Sequence, residues 1–172
     1  VLLAHDTDPF NRWEAAQQLM VNRLLPAITQ GQEPVLDEAL AQALAAVLAH
    51  PTLDPAFKAL VLSPPSETYL AEQLASSDPQ RIHTVREQWR AQLAARLHEG
   101  WQAAWAGHQV AEGYAPTHEQ AGRRDLANLA LAMLTLHAVR TGDAVQQGRT
   151  YQRFKDATNM TDRIGALQAL VH

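Results

Sequence analysis

The sequence predicts an all-α protein: an irregular array of stacked helical hairpins, an α-solenoid-like superhelix segment. Three observations predict it. Alanine occurs 31 times and leucine 23 times, against 13 for valine and isoleucine together. Alanine and leucine suit helices, whereas strands favour β-branched side chains. No stretch alternates apolar and polar residues between turn signals as a half-buried strand does. Proline and glycine cut the chain into helix-length pieces joined by short turns, the punctuation of helical hairpins. No fixed repeat period emerges, so the array is expected to be irregular.

Each element follows from its punctuation. Asp8 caps and Pro9 starts a first helix whose Phe10, Trp13, Ala16, Gln17, Met20 and Leu24 recur at helical spacing. Pro26 is expected to kink or end it, with residues 30–34 as a loop. Leu36, Leu40, Ala43, Leu44 and Val47 mark a second helix, stopped by His50-Pro51. Asp54-Pro55 opens a short third helix through Leu62, ended by Ser63-Pro64-Pro65, and Ser66 introduces another short piece with Tyr69, Leu70 and Leu74. Asp78-Pro79 repeats the cap-and-proline device and opens what reads as the longest helix, to about Glu112. Its stripe is Ile82, Val85, Trp89, Leu93, Leu97, Trp101 and Trp105. Gly113 to Pro116 break it. Thr117, with Gln120 completing a capping box, starts a helix to Arg140. Thr141-Gly142-Asp143 then turns the chain into helices over 144–156 and 160–171.

At 172 residues, the chain is long enough for one domain with a substantial core. The net charge of −4, with only Lys58 and Lys155 as lysines, argues against a nucleic-acid footprint. The absence of cysteine excludes disulfides, thiolate metal sites and a cysteine nucleophile. The opening Val1-Leu2-Leu3-Ala4 has no basic flank of a signal peptide and reads as the interior of a longer protein. The run from Leu126 to Val139 is shorter than the roughly 20 residues needed to cross a bilayer, so no membrane partner is expected.

Eight histidines raise a metal question. A helical zinc site needs two imidazoles on one face, as in HExxH. His98-Glu99 and His118-Glu119 begin that way, but Gln102 and Gly122 stand where the second histidine belongs. No metal site is expected in this chain. Ser63, Ser66, Ser76 and Ser77 lie in no nucleophile elbow, and the glycines form no phosphate-cradling loop. No catalytic residue is expected either. Trp101 and Trp105 read as core rather than a stacking platform, and His137 as a hydrogen-bonded core residue. Arg123-Arg124 could hold an anion at a helix start, with a solvated helix turn as the plainer account.

Two stretches are more particular than generic helix. The first is Ala4-His5-Asp6-Thr7-Asp8-Pro9-Phe10-Asn11-Arg12-Trp13-Glu14-Ala15-Ala16-Gln17. The second is Ala157-Thr158-Asn159-Met160-Thr161-Asp162-Arg163-Ile164-Gly165-Ala166-Leu167. Together, in this order and separation, they make the chain resemble the bacterial aminopeptidase N branch of the HExxH zinc aminopeptidases. Within them Asp8, Phe10, Arg12, Trp13, Gln17, Asn159, Met160, Thr161 and Asp162 stand out as the structural family motif.

The resemblance implies that residues 1–172 are a single helical segment, the first part of a C-terminal helical domain. It implies upstream β and thermolysin-like catalytic domains, and further helices after His172. The family's HExxH with its distal glutamate, its GxMEN motif and its one zinc ion would all belong to that missing part. The implied role is to pack over the catalytic domain of the same polypeptide and restrict access to small peptides, in a cytoplasmic enzyme that removes N-terminal residues. A free-standing helical-repeat interaction module is the alternative. At the motifs, Phe10 and Trp13 are expected to anchor the first turn. Asn159 is expected to cap the last helix, with Asp162 in its first turn and Thr161 as the rival cap. An array cut internally is expected to leave Ile164, Leu167, Leu170 and Val171 as an apolar patch and to self-associate.

Overall fold

The computed structural model describes residues 8–171; Ala4 to Thr7 of the first motif, His5 among them, and His172 lie outside the described residues. Among the described residues the chain forms nine helices and no strand. They are α1 (Pro9–Gln30), α2 (Glu38–Ala49), α3 (Pro55–Leu62), α4 (Glu67–Glu72), α5 (Pro79–Arg96), α6 (His98–Gly107), α7 (His118–Thr141), α8 (Ala144–Asp156) and α9 (Met160–Val171).

Capping explains most of these starts. Asp8, Asp37, Asp54, Ser66, Asp78, Thr117 and Asp143 each accept a backbone N–H from the first turn that follows, which satisfies donors the helix itself leaves unpaired. Gly31 and Gly142 end α1 and α7 in the left-handed region, at φ 70° and 76°, where a side chain would be strained.

Three sequence expectations need correction. Pro26, expected to kink or end the helix, does not end α1, which runs on to Gln30. A proline inside a helix costs about 3 kcal/mol, and burial of Leu24, Ala27 and Ile28 around it offsets that. The expected helix from Pro79 to Glu112 is two helices broken at Leu97. There Trp101 Nε1 donates to the Leu93 carbonyl at 3.1 Å. Gly100 also comes so close to α2 that a β-carbon would lie 2.8 Å from Leu48. The second piece stops at Gly107, where His108 and Gln109 side chains donate to the Ala104 and Trp105 carbonyls. The longest helix is therefore α7, with 24 residues. Finally, Gln120 does not close a box on Thr117; it bonds the Ala115 N–H and the Gly113 carbonyl, further back along the connection.

α7 is the centre of the array and packs against α3, α5, α6, α8 and α9. The main core runs from Ala16 on α1 to Leu136 on α7, with Trp89 and Trp101 fully buried. A smaller cluster of Leu131, Ala166 and Ala169 joins the other side of α7 to α9. Between them, Thr135 and Thr150, both buried, share a hydrogen bond of 2.8 Å that ties α7 to α8. No helix among the described residues is long and apolar enough to cross a membrane.

Candidate functional site

Two glycines let neighbouring helices approach α7 closely. At Gly122 a β-carbon would lie 3.0 Å from the Ala56 nitrogen on α3; at Gly165 on α9 it would lie 2.7 Å from the Asn128 side chain. Between the flanking helices runs a groove of about 460 Å³, with Asp125, Asn128 and Leu129 of α7 as its floor and Leu60, Thr161 and Ile164 on its walls. It continues into a hollow of about 350 Å³ lined by Arg86 and Arg90 of α5 and Met133 of α7. Ser63, Asn128, Leu129, Gly165 and Gln168 border both, so the two form one channel along α7.

The channel has a charge gradient. At one end Asp125 is exposed and makes no ion pair or hydrogen bond within the described residues, and the desolvation it does suffer against the groove raises its carboxyl from the ordinary value. At the other, Arg90 holds both oxygens of Glu87 at 2.9 and 3.0 Å, and Arg86 donates from Nε to the Pro65 carbonyl at 2.9 Å. Burial, and then the neighbouring Arg90, lower the Arg86 guanidinium from its usual value. Glu87 is shared by both arginines and does not line the channel. Midway, the Asn128 amide makes no protein hydrogen bond; its Oδ1 is sealed against Gly165.

The described parts of both sequence motifs reach the end of α3. Asp8 caps α1 through the Phe10 N–H at 2.8 Å. Phe10 does not anchor that turn: it is 61% exposed, and Trp13, 5.9 Å away between ring centroids, alone packs on the core. Arg12 lies over the Phe57 ring. Gln17 donates to the Ser63 carbonyl at 3.1 Å, fixing the helix end that borders the channel. In the second motif Asn159 Oδ1 accepts the Asp162 N–H at 2.9 Å. The Asp162 carboxylate is buried and accepts from Asn159 Nδ2 at 2.9 Å and Arg153 at 2.8 Å. Met160 is exposed and Thr161 lines the channel.

Other singled-out residues have plainer environments. Trp105 is half-buried beneath Arg153. His137 is not a hydrogen-bonded core residue: it is half-buried, its ring 4.5 Å from that of His98, because α7 turns this position toward a hollow beside α6. Arg123 and Arg124 do not form a solvated turn but engage groups of this chain. Arg123 pairs with Glu112, while buried Arg124 bonds Gln120 and stacks on Tyr114, pinning the connection before α7. Among the described residues no three histidine, aspartate or glutamate side chains converge on a metal position. The described residues therefore offer no zinc site of their own. Ser63 and Ser66 spend their hydroxyls on the Ala59 carbonyl and the α4 cap.

A family model described as a domain of unknown function (DUF3458_C) of ARM repeats matches residues 1–172. The chain belongs to this ARM-repeat family. Among curated relatives, the ARM-repeat chain is 34% identical over 171 residues to aminopeptidase N of Caulobacter vibrioides, and 33% over 173 residues to aminopeptidase N of Escherichia coli K12. Each match takes in 99% of this chain and 19% of the relative, so the chain spans about a fifth of the relatives' length. A solved structure, Legionella pneumophila aminopeptidase A in complex with aspartic acid, superposes with a TM-score of 0.81 at 24% identity. That match covers 99% of this chain and 20% of that one, and it is a likeness of fold.

The channel along α7 carries residues that sequence reasoning passed over: Asp125, Asn128, Arg86 and Arg90. Only weak signals point to them. Asp125 and Asn128 are three apart on α7, and Arg86 and Arg90 are four apart on α5, so each pair shares a helix face.

Proposed function

We propose that residues 1–172 are the first part of the C-terminal helical domain of a zinc-dependent, cytoplasmic aminopeptidase, and that they contribute no catalytic group. The domain packs over the catalytic part of the same polypeptide and limits access to its cavity, so that short peptides and unstructured N-termini enter. Zinc and the hydrolytic residues belong to the catalytic part. The observation that carries this reading is the end-to-end likeness to segments of two bacterial aminopeptidases N. The much greater length of those relatives favours it over a free-standing interaction module.

Two measurements test it. In the longer protein, cross-linking should join this helical segment to the catalytic part, and an absence of such links sinks the packing role. The 172-residue chain alone should turn over no aminoacyl amide. Chelator-sensitive activity that co-purifies with the homogeneous chain overturns the non-catalytic assignment.

A further inference from the structure

We propose that the channel along α7 binds the backbone of a short zwitterionic peptide, with its ammonium at Asp125 and its carboxylate at Arg86 and Arg90. This rests on the reading that the longer protein handles peptides, and adds which residues of this chain meet them. Three observations carry it. First, the charges of a free peptide are matched in order: an unpaired carboxylate stands at one end, and two guanidiniums that share one glutamate stand at the other. Guanidinium is the side chain best shaped to hold a carboxylate.

Second, the length fits. Asp125 and Met133 mark the two ends on α7, and at about 1.5 Å per residue they lie roughly 12 Å apart along the axis. An extended chain advances about 3.3–3.6 Å per residue, so three to four residues span the channel.

Third, the middle offers an uncommitted amide. Asn128 borders both halves of the channel and makes no protein hydrogen bond. Its Oδ1 is closed off against Gly165, so the amide meets a peptide through Nδ2, which donates to a backbone C=O. Gly165 is what lets that amide sit there, since a β-carbon would collide with it. Thr161 and Gln168 add polar groups on the α9 wall.

The test is an NMR titration of the full chain with trialanine and tetraalanine, each free, N-acetylated or C-amidated. Free peptides should shift the resonances of Asp125, Thr161, Gly165 and the Asn128 side chain. Acetylation should weaken binding about fivefold, and amidation similarly, as expected for a partly exposed ion pair. Asp125→Asn should erase the penalty for acetylation but keep that for amidation, and Arg90→Gln the reverse. The blocked peptides make the same comparison on the unaltered chain should a variant misfold. Equal binding of free and blocked peptides, or no shift at the solubility limit of tetraalanine, overturns the proposal. The titration is made on Leu167→Glu, which breaks up the exposed apolar face of α9; shifts of these resonances with its concentration alone also overturn the proposal and assign the channel to a second copy of the chain. Failure here leaves the domain's place in an aminopeptidase intact, because cross-linking in the longer protein reads that separately.

Discussion

Gly165 sits against Asn128 so closely that a β-carbon on it would fall 2.7 Å from the asparagine side chain. This one contact sets how near α9 comes to α7 and how the floor of the channel is shaped. Gly165→Ala gains helix propensity worth about 0.5–1 kcal/mol, yet overpacking a filled site costs about 1–3 kcal/mol. The expected result is a net loss of about 1 kcal/mol in denaturant unfolding. Adding Asn128→Ala should restore most of it. Independent, additive effects of the two substitutions would show that the contact does not govern the packing.

Asn159 and Thr161 should separate cleanly. Asn159 accepts the Asp162 N–H and also donates to its buried carboxylate, whereas Thr161 is exposed at the channel wall. Asn159→Ala is expected to cost about 1–2 kcal/mol, and Thr161→Ala under about 0.5. Equal losses in thermal unfolding would remove Asn159 from the capping role.

Two aspartates should respond to pH with opposite sign. Asp125 is exposed, and the desolvation it does suffer raises its carboxyl above 3.8, so the folded state slightly favours its protonated form. Its stability contribution is fully present below the unfolded value and is lost as pH rises through the folded one. Asp125→Asn should therefore raise the melting temperature near neutrality and leave it unchanged near pH 3. Asp37 runs the other way: the Leu40 N–H, then Arg23, hold its carboxyl below 3.8. Its contribution is present above that value and fades as pH falls through the folded one. Calorimetry of Asp125→Asn and Asp37→Asn across pH checks both signs; a neutral-pH loss for Asp125→Asn contradicts the first.

The outer face of α9 is apolar. Ile164, Leu167 and Val171 are 46%, 45% and 73% exposed, while Leu170 is half-buried. Clustered exposure of this kind favours association. Sedimentation should show the chain self-associating as concentration rises, and Leu167→Glu should return it to a monomer. A concentration-independent monomer for the unaltered chain would count against a sticky α9.

Helix starts were legible because their causes are local. Asp54-Pro55 and Asp78-Pro79 each combine a cap with a pre-set proline φ, and both open helices at those residues. The Asn159 cap could be read for the same reason, since donor and acceptor lie three residues apart. The break at Leu97 could not: Gly100 is a weak local mark, and what accompanies the break is tertiary, the Trp101 indole on the Leu93 carbonyl and the close passage of α2 at Gly100. Pro26 misled in the opposite direction, because burial against other helices outweighs a local penalty.

By itself the sequence determined an all-helical chain, the bounds of most helices and the family it belongs to, since propensity, capping and motif spacing are written within short windows. Only the tertiary structure decided that α7 is the centre, that Phe10 faces outward, and that Asp125, Asn128, Arg86 and Arg90 border one channel. Those residues come from helices far apart in the chain. Their meeting depends on how closely Gly122 and Gly165 let α3 and α9 approach α7, a distance set by packing and not by any local pattern.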